Sequence, residues 1–141
     1  MVGVVSASAA TSRTATSHHT VHIVTKQFSA VDLDLGDHGP SAGDQYVRAG
    51  TMTVNGRSDG YSSAHCVFTA TGKPTLFTCR VDYSTARGLL SVEAFGAPQP
   101  GHPPVLRAAV IGGTCDYRNV RGDGTIRPNP TGTDVTLDLI G

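Results

Sequence analysis

The chain has no tryptophan, a single glutamate (Glu93), two lysines (Lys26 and Lys73) and three cysteines in 141 residues. Each shortage excludes something. With Glu, Lys and Leu all scarce, the residues that make up ordinary helical surfaces are missing, so a helical architecture is not expected. Eleven basic side chains cancel eleven acidic ones, and no cluster of Lys or Arg stands out. That balance removes the electrostatic footprint of a nucleic-acid or polybasic membrane binder and points to a small, uncharged ligand. No apolar stretch approaches the ~20 residues needed to span a bilayer. The histidines at 18, 19, 22, 38, 65 and 102 are scattered, and no Cys-x-x-Cys or paired-His spacing occurs. No metal site is therefore expected. A serine triad has no support either, because no Gly-x-Ser-x-Gly elbow is present.

Val and Thr are abundant, with 17 glycines and 8 prolines, which is the composition of strands and turns. The length suits one domain with a sizeable core. At the start, Ala7-Ser8-Ala9 fits a small-x-small cleavage pattern, and Thr11 to Thr20 reads as a polar lead-in. Residues 1–20 are thus expected to be the remnant of a truncated signal peptide plus a flexible tail, the alternative being a merely flexible Ala/Ser tail. A folded domain is expected over 21–141, in a secreted or extracytoplasmic protein.

Hydrophobic alternation and turn residues divide that domain into eight strands. The first covers Val21 to Phe28 and continues, bent, through Val31, Leu33 and Leu35. A Gly/Asp/Ser-rich loop from Gly36 to Asp44 precedes strand two, about Gln45 to Val54. Asn55-Gly56 is a hairpin turn, because both residues tolerate positive φ. Strand three resumes near Gly60, and Thr71-Gly72-Lys73-Pro74 turns into strand four, Thr75 to Tyr83. Strand five is Leu89 to Phe95; the Pro-rich piece 98–104 is a loop. Strands six (Val105 to Ile111), seven (Gly124 to Arg127) and eight (Val135 to Ile140) complete the set. Eight short strands with hairpin-length connections and no convincing helix predict an all-β fold, an up-and-down barrel or a sandwich. An eight-stranded barrel has room inside for packed side chains or one small ligand.

Centring the third hairpin on Gly72-Lys73 places Cys66 opposite Cys79, Phe68 opposite Phe77, Ala64 opposite Val81 and Ser62 opposite Tyr83. That face is largely apolar, while His65 with Arg80 and Ser63 with Asp82 form the other. Cys66 and Cys79 are then close enough for a cross-strand disulfide in an exported chain. The alternative is two reduced cysteines filling core volume. Cys115 is left over as a buried thiol, an intermolecular partner or a pocket group.

The run Ala109-Val110-Ile111-Gly112-Gly113-Thr114-Cys115-Asp116-Tyr117-Arg118-Asn119-Val120-Arg121-Gly122 joins an apolar strand to a double glycine, an aromatic and Arg-Gly. With Gly43-Asp44, Cys66-Val67 and Leu90-Ser91-Val92 in order before it, this resembles the allene oxide cyclase/dirigent-like barrel family, over about Gly43 to Ile140. The resemblance, as to an exported bacterial-type member, implies an eight-stranded antiparallel up-and-down β-barrel with an apolar lumen, cofactor-free chemistry and frequent homotrimers. Dirigent proteins steer the coupling of radicals; allene oxide cyclases close a ring in an epoxide. The match is incomplete: Val21 to Gln27 lacks the carboxylate of the cyclases' first strand, and Ala49-Gly50 has no counterpart of the Asn that holds their water.

Three functions follow as expectations: a cofactor-free cyclase, isomerase or stereocontrol protein for an apolar metabolite, a non-catalytic carrier barrel, and a structural module with a filled interior. The substrate is expected between Cys66, Phe68, Phe77, Val81 and Tyr83. Asp116 fits the acidic position that the dirigent pattern places beside Gly-Gly-Thr, with Arg121 as its partner in polarising a substrate oxygen. An exposed Asp-Arg pair steadying a barrel corner is the other reading of those two residues.

Overall fold

The computed structural model describes residues 17–102 and 104–141, together with Gly3. Most of the expected signal remnant lies outside these residues. Eight strands run in sequence around a closed barrel: β1 (His18–Leu33), β2 (Gln45–Val54), β3 (Arg57–Ala70), β4 (Leu76–Thr85), β5 (Gly88–Gly96), β6 (Leu106–Gly113), β7 (Arg121–Asn129) and β8 (Gly132–Ile140). Each strand pairs antiparallel with the next, and β8 returns to β1, so no strand edge is left open. The fold is an all-β, eight-stranded antiparallel barrel: of the barrel and the sandwich that the strand pattern allowed, it is the barrel that the family resemblance implied.

The Asn55-Gly56 turn has both residues at positive φ, 49° and 82°, as a two-residue hairpin with right-handed strand twist requires. In the next hairpin all six anticipated pairs occur, from Ser62 with Tyr83 to Phe68 with Phe77. The first strand starts at His18, within the expected tail, and continues unbroken to Leu33. Its bend is a β-bulge between Gln27 and Ser29 opposite β2. The extra residue, Phe28, is expelled to the outside, 64% exposed. At the kink a Cβ on Gly50 would lie 2.5 Å from the Lys26 carbonyl oxygen, so the close approach of the two backbones demands glycine.

Side chains alternate in and out, and the inner set divides the barrel into two halves. Around the start of β1 and the end of β8, Val21, Ile23, Leu90, Leu137 and Leu139 fill the interior. Each such burial stabilises by about 1.5–3 kcal/mol. A short 3-10 turn not anticipated from sequence, Cys115–Tyr117, follows β6 and drives Tyr117 into this plug at 4% exposure. The turn is pinned by Thr114, whose N–H donates to the Leu89 carbonyl and whose hydroxyl accepts from the Leu89 N–H, both at 2.9 Å. A Cβ on Gly113 would sit 2.5 Å from the Tyr117 carbonyl oxygen, whereas one on Gly112 would meet nothing within 4 Å. Only the second glycine of the pair is therefore required by packing. Cys115, for which burial was the first reading, is exposed, because the turn that sends Tyr117 inward sends its neighbours outward.

Candidate functional site

The other half of the barrel is open. Directly paired residues share a face, so the inward set Cys66 and Ala64 of β3 continues onto β2 as Tyr46 and Arg48 and onto β4 as Cys79 and Val81. Between these strands and β1, β6, β7 and β8 lies a cavity of about 110 Å³. Its walls are mainly apolar: Ala64, Cys66, Cys79, Val81, Leu106 and Ile126, over a floor made by Tyr83. Cys66 and Cys79 are joined as a disulfide, both at most 4% exposed. The bridge is thus part of the lumen wall.

Polar groups enter from β1, β2, β3 and β8. The hydroxyls of Thr25 and Thr133 lie 2.7 Å apart, and the Thr133 N–H donates to Thr25 Oγ1 at 2.9 Å. Gln27, aimed inward just before the bulge, and Ser62 add an amide and a hydroxyl. At the throat, Tyr46 Oη is 3.7 Å from Cys79 Sγ. The guanidinium of Arg48 stands 4.8 Å from the Tyr46 ring centroid, a cation–π geometry. Arg48 is held by Asp32 Oδ1 at 2.7 Å and by the carbonyls of Val31 and Val47 at 3.2 and 2.9 Å. Burial pushes the Tyr46 phenol above its ordinary pKa, partly offset by the Arg48 charge. Burial alone pushes that of Tyr83 up further. Both phenols are consequently neutral donors at physiological pH.

Tyr46 and Arg48 also line a second, wider space of about 620 Å³ at the mouth of the barrel. Leu33, Pro40 and Phe68 give it apolar walls, and Asp32, Asp34 and Asp44 give it negative charge. Asp44 organises the adjoining loop, accepting from the Leu35 and Ser41 N–H groups at 2.9 Å each. Those backbone hydrogen bonds hold its carboxyl below the usual range.

Of the residues expected around the substrate, Cys66, Val81 and Tyr83 line the inner cavity, and Phe68 lines the mouth. Phe77 is buried behind them, with ring centroids 6.0 Å from Tyr46 and 5.6 Å from Phe68. It packs against both rings and is absent from the lining of either space. Asp116 and Arg121 are not brought to the cavity. Arg121 opens β7 at the plugged end, paired with Ile140. Asp116 lies on the outward side of the 3-10 turn, where its Oδ2 meets Arg87 Nε at 3.0 Å with both side chains more than half exposed. The pairing of Asp116 with Arg121 is corrected accordingly: the partner is Arg87, because the turn redirects the chain between the two expected residues. That hydrogen bond raises the Arg87 pKa.

Thr25, Gln27, Tyr46, Arg48, Ser62 and Thr133 were not anticipated as site residues. A signal existed for Ser62, which the β3/β4 register sets opposite Tyr83 on the apolar face. A regular hairpin at Asn55-Gly56 would set Tyr46 and Arg48 opposite His65 and Ser63 on the polar face; a β-bulge between Thr51 and Thr53 moves them opposite Cys66 and Ala64 instead. For Gln27 there was no signal, since the bulge that fixes its direction has no clear mark in the sequence.

No protein-family model matches the chain, and no curated protein matches it. Among solved structures the barrel is similar to a pyocyanin demethylase, at 23% identity and a TM-score of 0.69, covering 87% of this chain and 99% of that one. It is also similar to AbnU, an exo-specific intermolecular Diels-Alderase, at 16% identity and a TM-score of 0.61, covering 89% and 99%. A third is a nonspecific heme-binding cyclase that catalyses [4 + 2] cycloaddition during neoabyssomicin biosynthesis, at 14% and 0.59, covering 86% of this chain and 59% of that one. At these identities the likeness establishes a shared barrel fold.

Proposed function

We propose that this protein binds an apolar, oxygen-bearing small molecule in its lumen and acts on it as a cofactor-free cyclase or isomerase. The observation that carries this reading is an apolar cavity floored by Tyr83, with the phenol of Tyr46 and the guanidinium of Arg48 in its lining. A flexible substrate folded into such a space is held near one reactive conformer and shielded from water, and orientation of that kind lowers barriers by several kcal/mol, up to about 7–11 kcal/mol in well-oriented systems. Tyr46 and Arg48 would polarise a carbonyl as negative charge develops on its oxygen, the task first assigned to Asp116 and Arg121. Ring closure and isomerisation rearrange bonds with no net gain or loss of electrons, so they ask for no redox partner. Two of the similar barrels are named for cyclisation or cycloaddition, which supports this choice of chemistry.

A carrier that releases its ligand unchanged is the second reading. It is favoured by the inner cavity's lining, in which, among the described residues, no carboxylate or histidine stands ready as a general acid or base. Native mass spectrometry of the oxidised protein exposed to a metabolite extract, followed by analysis of the released compound, separates the two. Release of a rearranged isomer supports the enzyme, release of unaltered ligand supports the carrier, and an empty barrel after broad exposure sinks both.

The same reading places the protein outside the cytoplasm, where a disulfide such as Cys66–Cys79 persists. Thiol trapping in intact cells checks this, with cytoplasmic reduced thiols as the contrary result. A homotrimer, implied by the family resemblance, is checked by light scattering.

A further inference from the structure

The site is two spaces of very different size that share Tyr46 and Arg48 in their walls, and this limits its ligand. We infer that the ligand is a neutral carbonyl compound of two unequal parts: a short aliphatic arm of about four carbons that enters the lumen, and a bulkier body that stays in the mouth. The inference rests on the proposal that the lumen is a ligand site.

The size limit comes from the cavity. At about 110 Å³ it is smaller than the roughly 150 Å³ engineered protein cavity that accepts benzene. Beneath its floor, Tyr83, Leu90 and Leu137 are each at most 1% exposed, so the arm cannot extend through the barrel. The mouth, about 620 Å³, takes the remainder. Tyr46 and Arg48 line both spaces, so the atom at the junction lies beside them. The Tyr46 hydroxyl has as its described partner only the Cys79 sulfur at 3.7 Å, a weak acceptor. Its proton is available to a carbonyl oxygen. Charge selects against a carboxylate: Asp32 already pairs with Arg48 at 2.7 Å, and Asp44 and Asp34, the latter 3.7 Å from His38 Nδ1, add further carboxylates to the mouth wall.

The test uses 6-acyl-2-(dimethylamino)naphthalenes, neutral ketones that share one fluorescent body and differ in the acyl arm from acetyl to dodecanoyl. Binding to the oxidised wild-type protein is followed by emission. Affinity should rise about fourfold per added methylene as far as pentanoyl, then level or fall. Ala64→Leu, which fills the lumen, should move the break to shorter arms; Val81→Ala should move it longer by about one methylene. If Ala64→Leu does not fold, Val81→Ala alone carries the comparison. Tyr46→Phe should weaken every member by a common factor, about fivefold to tenfold, without moving the break. Binding that climbs steadily to dodecanoyl, or ignores arm length, overturns the inference and leaves a ligand-binding barrel intact. No binding by any member also overturns it, and the metabolite capture then decides the broader reading by itself.

Discussion

Arg48 and Asp32, on adjacent strands at the lip of the barrel, meet at 2.7 Å with side-chain exposures of 29% and 78%. The pair keeps the guanidinium over Tyr46 instead of letting it swing into solvent. An ion pair this exposed contributes at most about 1 kcal/mol, so its value lies in placement.

Removing the cation should matter more than removing its anchor. Arg48→Ala is expected to weaken ligand binding about tenfold by deleting a charge-assisted donor. Asp32→Asn should cost about twofold to threefold and only at low salt, since screening already weakens the pair. Titrating one ligand against both variants at two salt concentrations checks the order; equal losses would remove Arg48 from the site.

The residues first expected to do chemistry should prove dispensable for it. Asp116→Ala and Arg121→Ala are expected to bind ligand within about twofold of wild type, because both lie at the plugged end. Tyr117→Ala, at the last residue of the same turn, should instead lower stability by about 3–5 kcal/mol through the cavity it leaves. Denaturant melts and ligand titrations on the same samples distinguish the two effects; a tenfold binding loss in either charge variant would relocate the site.

The disulfide closes a loop of sequence separation 13. On the loop-entropy account its loss costs about 3 kcal/mol, or roughly 10 °C in Tm. Cys66→Ala with Cys79→Ala should show this in a thermal melt, together with altered ligand preference because the bridge lines the lumen. A stable variant with unchanged selectivity would show that the bridge contributes to neither property.

Tyr83 gives a pH signature. Burial raises its pKa above the roughly 10 of a free phenol, so the folded state holds a proton that the unfolded chain releases. The stability from this group is complete below about pH 10, and it declines as pH rises from there toward the folded value. Tyr83→Phe should flatten that decline. It should also delete the last portion of the tyrosinate absorbance titration; loss of an early portion would mean that Tyr83 is solvated.

The strand plan was readable because turns and alternation are local. The Asn55-Gly56 turn and the Cys66–Cys79 pairing depend on two adjacent strands, and both are found as expected. What escaped depends on three strands or on chain reversal. Tyr46 and Arg48 belong to the lumen only through the register of β2 with β3. The bulge that aims Gln27 inward answers to Gly50 on another strand. On a straight strand Asp116 and Arg121 face opposite ways, so their pairing needed a bend at the motif; the bend that forms packs Tyr117 against Gly113 and turns Asp116 outward to Arg87. The lumen wall was thus largely legible and its polar throat was not.

The Gly141 N–H donates to the Ser17 carbonyl at 3.2 Å, beside the pairing of His18 with Ile140. The start of β1 and the end of β8 thus meet on the plugged side. A linker from Gly141 back to Ser17, with new ends cut at Asn55-Gly56, keeps every strand neighbour it now has. A label or surface anchor attached at Gly141 departs on the side away from Tyr46 and Arg48, and the throat faces outward from whatever carries it.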